Sequence, residues 1–73
     1  MDKFELQTKI GQRIIKLRVA KGWSKSELAR ACNKDRQAIE KIENNKVNPT
    51  IFTLFEISKA LQVSLSDLVN IEY

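Results

Sequence analysis

The chain has no histidine, one cysteine (Cys32), one proline (Pro49) and two glycines among 73 residues. Each shortage excludes something. A lone cysteine cannot close an intramolecular disulfide. Without histidine, neither the common zinc-ligand spacings nor a Cys/His or Ser/His nucleophile pair can be assembled. Carboxylate-based or metal-dependent catalysis stays formally open, but so small a domain has little room for a substrate cleft of ordinary size. No enzyme, cofactor or metal is therefore expected. No stretch approaches the ~20 continuous apolar residues of a bilayer span, and the opening "MDKFELQTK" lacks the basic-then-apolar layout of an export signal. The expectation is a cytoplasmic protein with no membrane partner.

What is present fits a single small soluble domain over residues 1–73, near the lower size at which a core supports itself. The composition is 42% apolar and 30% charged, too hydrophobic for intrinsic disorder. With five aromatics, the core must be built mostly of Ile, Leu and Val. The net charge of +4 is uneven: residues 1–48 carry 12 of the 13 basic and 6 of the 9 acidic groups, a balance of +6, leaving −2 for residues 49–73. A basic half joined to a slightly acidic half suggests one face for a polyanion; a solvated surface is the plainer alternative.

Punctuation and periodicity divide the chain into five short helices with no strand signal, an all-α class. Leu6, Ile10, Ile14 and Leu17 mark the first helix, started by Asp2 with Glu5 or by Thr8, and stopped near Lys21 by Gly22. Ser24 and Glu27 form a capping box for "KSELARAC", and Asn33 suits its left-handed stop. Asp35 caps a third helix from Arg36 to about Asn44. After the loop "NNKVNP", Pro49 and Thr50 open a fourth helix with the stripe Ile51, Leu54, Ile57 and Leu61. Ser64 and Asp67 form another capping box, opening a fifth helix with Leu65, Leu68 and Val69.

The second and third helices are about three residues apart, a spacing with strict requirements. So tight a turn makes the helices cross closely, which needs a small residue at the crossing (Ala29) and one tolerant of positive φ in the turn (Asn33). Ile39 and Ile42 then bury one side of the third helix against Leu28 and Ala29, leaving Arg36, Gln37 and Lys41 facing outward. This is a helix-turn-helix pattern, whose second helix enters the DNA major groove. The stretch "IGQRIIKLRVAKGWSKSELARACNKDRQAIEKIENNKVNPTIFTLFEISKALQVSLSDLV", residues 10–69, resembles the phage-repressor-like (Cro/repressor, xenobiotic-response-element type) family. The resemblance implies a compact five-helix, lambda-repressor-like domain with a central helix-turn-helix. Three positions depart from the family. Lys25 stands where a glutamine often bonds a phosphate and steadies the reading helix. Asn33 replaces the turn glycine. Lys34 replaces an apolar residue, its stem expected over Cys32.

The resemblance also implies roles. Arg36 and Gln37 would read base edges, the arginine bidentate on guanine and the glutamine on adenine, with Lys41 a third contact to base or phosphate. Ser24, Lys25, Asn44, Lys46, Asn48 and Thr50 would hold the DNA backbone. Arg18 and Glu43 would form a partly buried ion pair between the first helix and the end of the third. For the polar residues the alternative is a solvated face, and for the pair two independent charges. Trp23 and Cys32 read as packing residues, since a redox role needs an exposed, acidified thiol.

Phe52 and Phe55 lie beside the fourth-helix stripe. With Leu65, Ile71 and Tyr73 they supply surplus apolar surface, which suggests a homodimer presenting two reading helices ~34 Å apart to a palindromic operator. Alternatively Phe55 completes the core and Phe52 is a lone exposed aromatic. The implied function is a sequence-specific transcriptional regulator of double-stranded DNA. An antitoxin with a protein partner and a restriction–modification controller are the rivals. A protein-interaction module without DNA binding would instead have a neutral or acidic third-helix face.

Overall fold

In the computed structural model, which describes residues 1–72, the chain forms helices α1 (Lys3–Ala20), α2 (Lys25–Ala31), α3 (Arg36–Glu43), α4 (Ile51–Leu61) and α5 (Leu65–Leu68). No strand occurs among the described residues. Every helix starts in the same way. Asp2, Ser24, Asp35, Thr50 and Ser64 each accept, through a side-chain oxygen, the backbone N–H three residues on, at 2.7–3.1 Å. These caps satisfy donors that the first turn leaves free. Asp2, not Thr8, begins α1.

Only at Ser24 is the bond returned among the described residues: its N–H donates to Glu27 Oε1 at 2.9 Å. That backbone bond, and then the Ser24 hydroxyl, hold the Glu27 carboxyl below its usual range. The reciprocal box expected at Ser64 is absent. Ser64 Oγ lies 3.0 Å from Ser66 Oγ and accepts from the Asp67 N–H.

Four helix ends also share one device. Gly22, Asn33, Asn45 and Gln62 adopt left-handed backbones, with φ of 74°, 58°, 59° and 61°. The N–H of each following residue then reaches back five positions: Trp23 to Arg18, Lys34 to Ala29, Lys46 to Lys41 and Val63 to Ser58, at 2.8–3.2 Å. These are Schellman closures. They turn the chain sharply enough for short helices to pack on one another.

The core gathers Ile14 from α1; Leu28 and Ala29 from α2, with Cys32 just beyond it; Ile39 and Ile42 from α3; Leu54, Ile57 and Leu61 from α4; and Leu68 from α5. Each fully buried Leu or Ile contributes roughly 1.5–3 kcal/mol. Trp23 packs half-buried on this cluster, with Lys21 Nζ 4.8 Å from its ring centre. The expected stripes need two corrections. Ile51 opens α4 where no neighbouring helix covers it and is 70% exposed, while Ser58 is buried on that helix. The Ser58 hydroxyl is satisfied by the Phe55 carbonyl at 2.7 Å. Leu6, in the early part of α1, stays outside the core at 38% exposed.

Gly11 sets how closely α1 approaches α3. A Cβ there would lie 2.6 Å from the Glu43 carbonyl oxygen and 2.9 Å from that of Ile42. Both obstacles are backbone, so α3 itself would have to move. Gly11→Ala gains about 1 kcal/mol of helix propensity, but the clash outweighs it. A net loss of about 1–3 kcal/mol in urea denaturation is expected. A midpoint at or above wild type would show that the two helices can part without cost.

Candidate nucleic-acid interface

The short α3 has two sharply different sides. Ile39, Ile42 and Glu43 point inward and are buried. Arg36, Gln37 and Lys41 are exposed, as is Asn44 at the C-cap. The α2–α3 turn enforces this division. Asn33 takes the left-handed conformation, and Ala29, 2% exposed, provides the small surface on which α3 lies. With Asp35 committed to capping the Ala38 N–H, Arg36 and Gln37 occupy the first turn, where side chains project past the helix end.

Three ionic contacts hold α3 and its surroundings. Arg18 Nε and Nη2 donate to the two Glu43 oxygens at 2.8 and 3.1 Å, and Nη1 donates to the Trp23 carbonyl at 2.9 Å. The Glu43 side chain has no exposed surface and that of Arg18 only 11%. The planar guanidinium thus joins α1, the following turn and the end of α3 through a bidentate fork. Lys25 Nζ lies 3.5 Å from Glu40 Oε1, linking the start of α2 to the middle of α3. Lys25 therefore braces α3 ionically, at the position where the resemblance led one to expect glutamine. Lys34 Nζ reaches Glu56 on α4 at 2.9 Å, so the polar turn residue finds a charged partner. Neither of these contacts was foreseen. An acid and a base 15 or 22 residues apart carry no local spacing signal.

The loop from Asn44 to Thr50 borders α3. Between them and the start of α4 lies an open groove of about 380 Å³, lined by residues including Gln37, Ala38, Lys41, Asn48 and Thr50. Asn48 and Thr50 are exposed at this rim, Lys46 is exposed earlier in the loop, and Ser24 is exposed at the start of α2. The Thr50 hydroxyl accepts from the Thr53 N–H and donates to Thr53 Oγ1. An anion there would meet backbone N–H groups rather than that hydroxyl. Cys32 is buried, its thiol directed at the Leu28 carbonyl at 3.2 Å, and burial raises its pKa.

The residues singled out for self-association divide. Phe52 is 66% and Phe55 43% exposed, their ring centres 6.3 Å apart, and Lys59 Nζ lies 5.7 Å from the Phe55 ring centre. Phe55 therefore does not complete the core. Leu65 and Ile71 are half-buried, Leu65 against the core. Tyr73 lies outside the described residues.

Comparison with known proteins agrees with this geometry. The helix-turn-helix profile (HTH_3) matches residues 14–68. The chain belongs to the helix-turn-helix family. It is 42% identical over 62 residues to the HTH-type transcriptional regulator SinR of Bacillus licheniformis, covering 84% of this chain and 56% of SinR. Two Escherichia coli proteins match as well. The transcriptional regulator SutR is 37% identical over 54 residues, 74% of this chain and 30% of SutR. The antitoxin HipB is 36% identical over 50 residues, 68% of this chain and 57% of HipB. This helix-turn-helix chain thus spans 30–57% of the length of these relatives. Among solved structures, the restriction-modification controller C.AhdI from Aeromonas hydrophila superposes with a TM-score of 0.88 at 29% identity, covering 93% of this chain and 99% of that one. A nucleoprotein complex of C.Esp1396I gives 0.76 at 35% identity, covering 92% and 96%.

The buried fork yields a stability prediction for this helix-turn-helix. Arg18→Met strands the enclosed Glu43 carboxylate and is expected to cost on the order of 3 kcal/mol in urea denaturation. Adding Glu43→Met should recover much of that loss. A double variant no better than the single would mean the damage lies in lost packing.

Proposed function

We propose that this chain is a sequence-specific regulator of transcription that binds double-stranded DNA by placing α3 in the major groove. The observation that carries the reading is the outward face of α3. Arg36, Gln37 and Lys41 stand exposed on a helix whose opposite side is buried and whose end is fastened by the Arg18–Glu43 fork. A groove about 12 Å wide accepts such a helix. Arg36 matches guanine O6 and N7, Gln37 matches adenine N6 and N7, and Lys41 reaches base or phosphate one turn on. Ser24, Lys25, Asn44, Lys46, Asn48 and the Thr50 end of α4 border this face and would contact phosphates, fixing orientation without reading sequence. The nucleoprotein complex of the similar C.Esp1396I supports the same reading. The role is binding rather than catalysis.

The exposed Phe52 and Phe55 pair supports a homodimer through α4, with Leu65 and Ile71 at its margin. Two copies would read the halves of a palindrome. Control of a restriction–modification system is the second reading, favoured by the likeness to C.AhdI along 99% of that chain. The antitoxin reading, with a protein as second partner, draws only on HipB, matched over 68% of this chain.

Fluorescence anisotropy against the DNA upstream of the chain's own gene and against a scrambled duplex, at two salt concentrations, tests the proposal. Arg36→Ala should lose roughly tenfold or more in affinity for the operator and retain weak, salt-sensitive binding to the scrambled duplex. Failure of the wild type to bind either duplex at low salt would refute DNA binding. Sedimentation of Phe52→Glu tests the dimer. A monomer with much weaker operator binding is expected, and an unchanged dimer would place the self-association surface elsewhere.

A further inference from the structure

We propose that Asn45 is a positioning residue for DNA binding, holding the loop after α3 against the first turns of α1. This rests on the DNA-binding reading above. Asn45 ends α3 with a φ of 59°, a conformation that glycine takes at less cost. The asparagine adds what glycine could not. Its Nδ2 donates to Thr8 Oγ1 at 2.8 Å and to the Phe4 carbonyl at 3.3 Å, crossing 37 and 41 residues of sequence.

The Phe4 carbonyl can only accept, so the amide nitrogen must face α1. Oδ1 is then buried without a protein partner, a cost that an asparagine turned toward solvent would escape. The side chain is retained inward by what its two donors grip. Among the described residues, these are the hydrogen bonds that tie residues 44–49 to an element other than α3 itself. Lys46, Val47 and Asn48 follow directly and are exposed. A loop anchored before DNA arrives need not be ordered at the moment of binding, and that saving appears as affinity. Because the loop meets phosphates, the gain is the same for every DNA sequence.

Two variants isolate the tether. Asn45→Gly keeps the left-handed stop and removes both bonds, whereas Thr8→Val removes the shorter of them from the α1 side, leaving the Phe4 carbonyl, without touching the loop. Circular dichroism and thermal denaturation establish that both fold, and binding is then measured well below their melting temperatures. Amide hydrogen exchange at Lys46, whose N–H bonds the Lys41 carbonyl at 2.8 Å, reports loop order without DNA. Each variant should speed that exchange by roughly tenfold. Each should also weaken operator and scrambled duplex alike, Asn45→Gly by about five- to tenfold and Thr8→Val by no more than that, with the double variant no worse than Asn45→Gly alone. Wild-type affinity in either variant would overturn the proposal. So would a loss confined to the operator, which belongs to base reading, or additive losses, which would mean that Asn45 and Thr8 act separately. If the wild type binds neither duplex, the DNA-binding reading fails and takes the positioning role with it. Exchange at Lys46 would then show separately whether the tether orders the loop.

Discussion

The carboxylate of Glu43 is the point on which the exposed face of α3 depends. It sits with no exposed surface at the end of α3 and is neutralised by a guanidinium from another helix. A charge so enclosed is costly unless a partner and hydrogen bonds surround it, and Arg18 supplies both. The fork is directional, so it fixes the rotation of α3 as well as its distance from α1. Gly11 lies beside the same contact and allows the Glu43 and Ile42 carbonyls to come within reach of its own helix. An apolar contact in this place could supply stability, but not the same definition of which side of α3 faces outward.

Around that fixed helix, charge is distributed economically. Glu40 would place a carboxylate on an otherwise basic face, and Lys25 lies against it. Glu56 takes up the charge of Lys34 in the turn. Both pairs are partly exposed, so each contributes little to stability. Their larger effect is on the field: Arg36, Lys41 and Lys46 remain available on the side toward which a polyanion would be drawn.

Much of this was legible in the sequence because helix boundaries are written locally. A Ser, Thr or Asp three residues ahead of its N–H partner marks each start, and the spacing of Ala29, Asn33, Ile39 and Ile42 marks the helix-turn-helix. Of the residues that the resemblance assigned to DNA, Arg36, Gln37 and Lys41 lie on α3 and Asn44, Lys46, Asn48 and Thr50 in the segment that follows it, whereas Ser24 and Lys25 lie at the start of α2. What escaped was of three kinds. Gln62 and Asn45 adopt left-handed backbones that only the turn around them enforces. Lys25–Glu40, Lys34–Glu56 and the Gly11 approach join residues far apart in sequence, and periodicity holds no record of them. Ile51 fits the stripe of α4 by spacing, yet helical period does not reveal where the neighbouring helices end.

The four Schellman closures also bear on how such a chain can diverge. Solvent-facing helix positions accept most residues, and a core accepts apolar exchanges that preserve volume. At residues 22, 33, 45 and 62 the backbone is left-handed, a state that Gly takes freely, Asn and Asp tolerate, and β-branched side chains resist. These four sites favour Gly, Asn and Asp, with Gln62 showing that an unbranched polar side chain also fits, although three of them lie exposed and touch no core. At these four positions the backbone, rather than packing, decides which substitutions the chain tolerates.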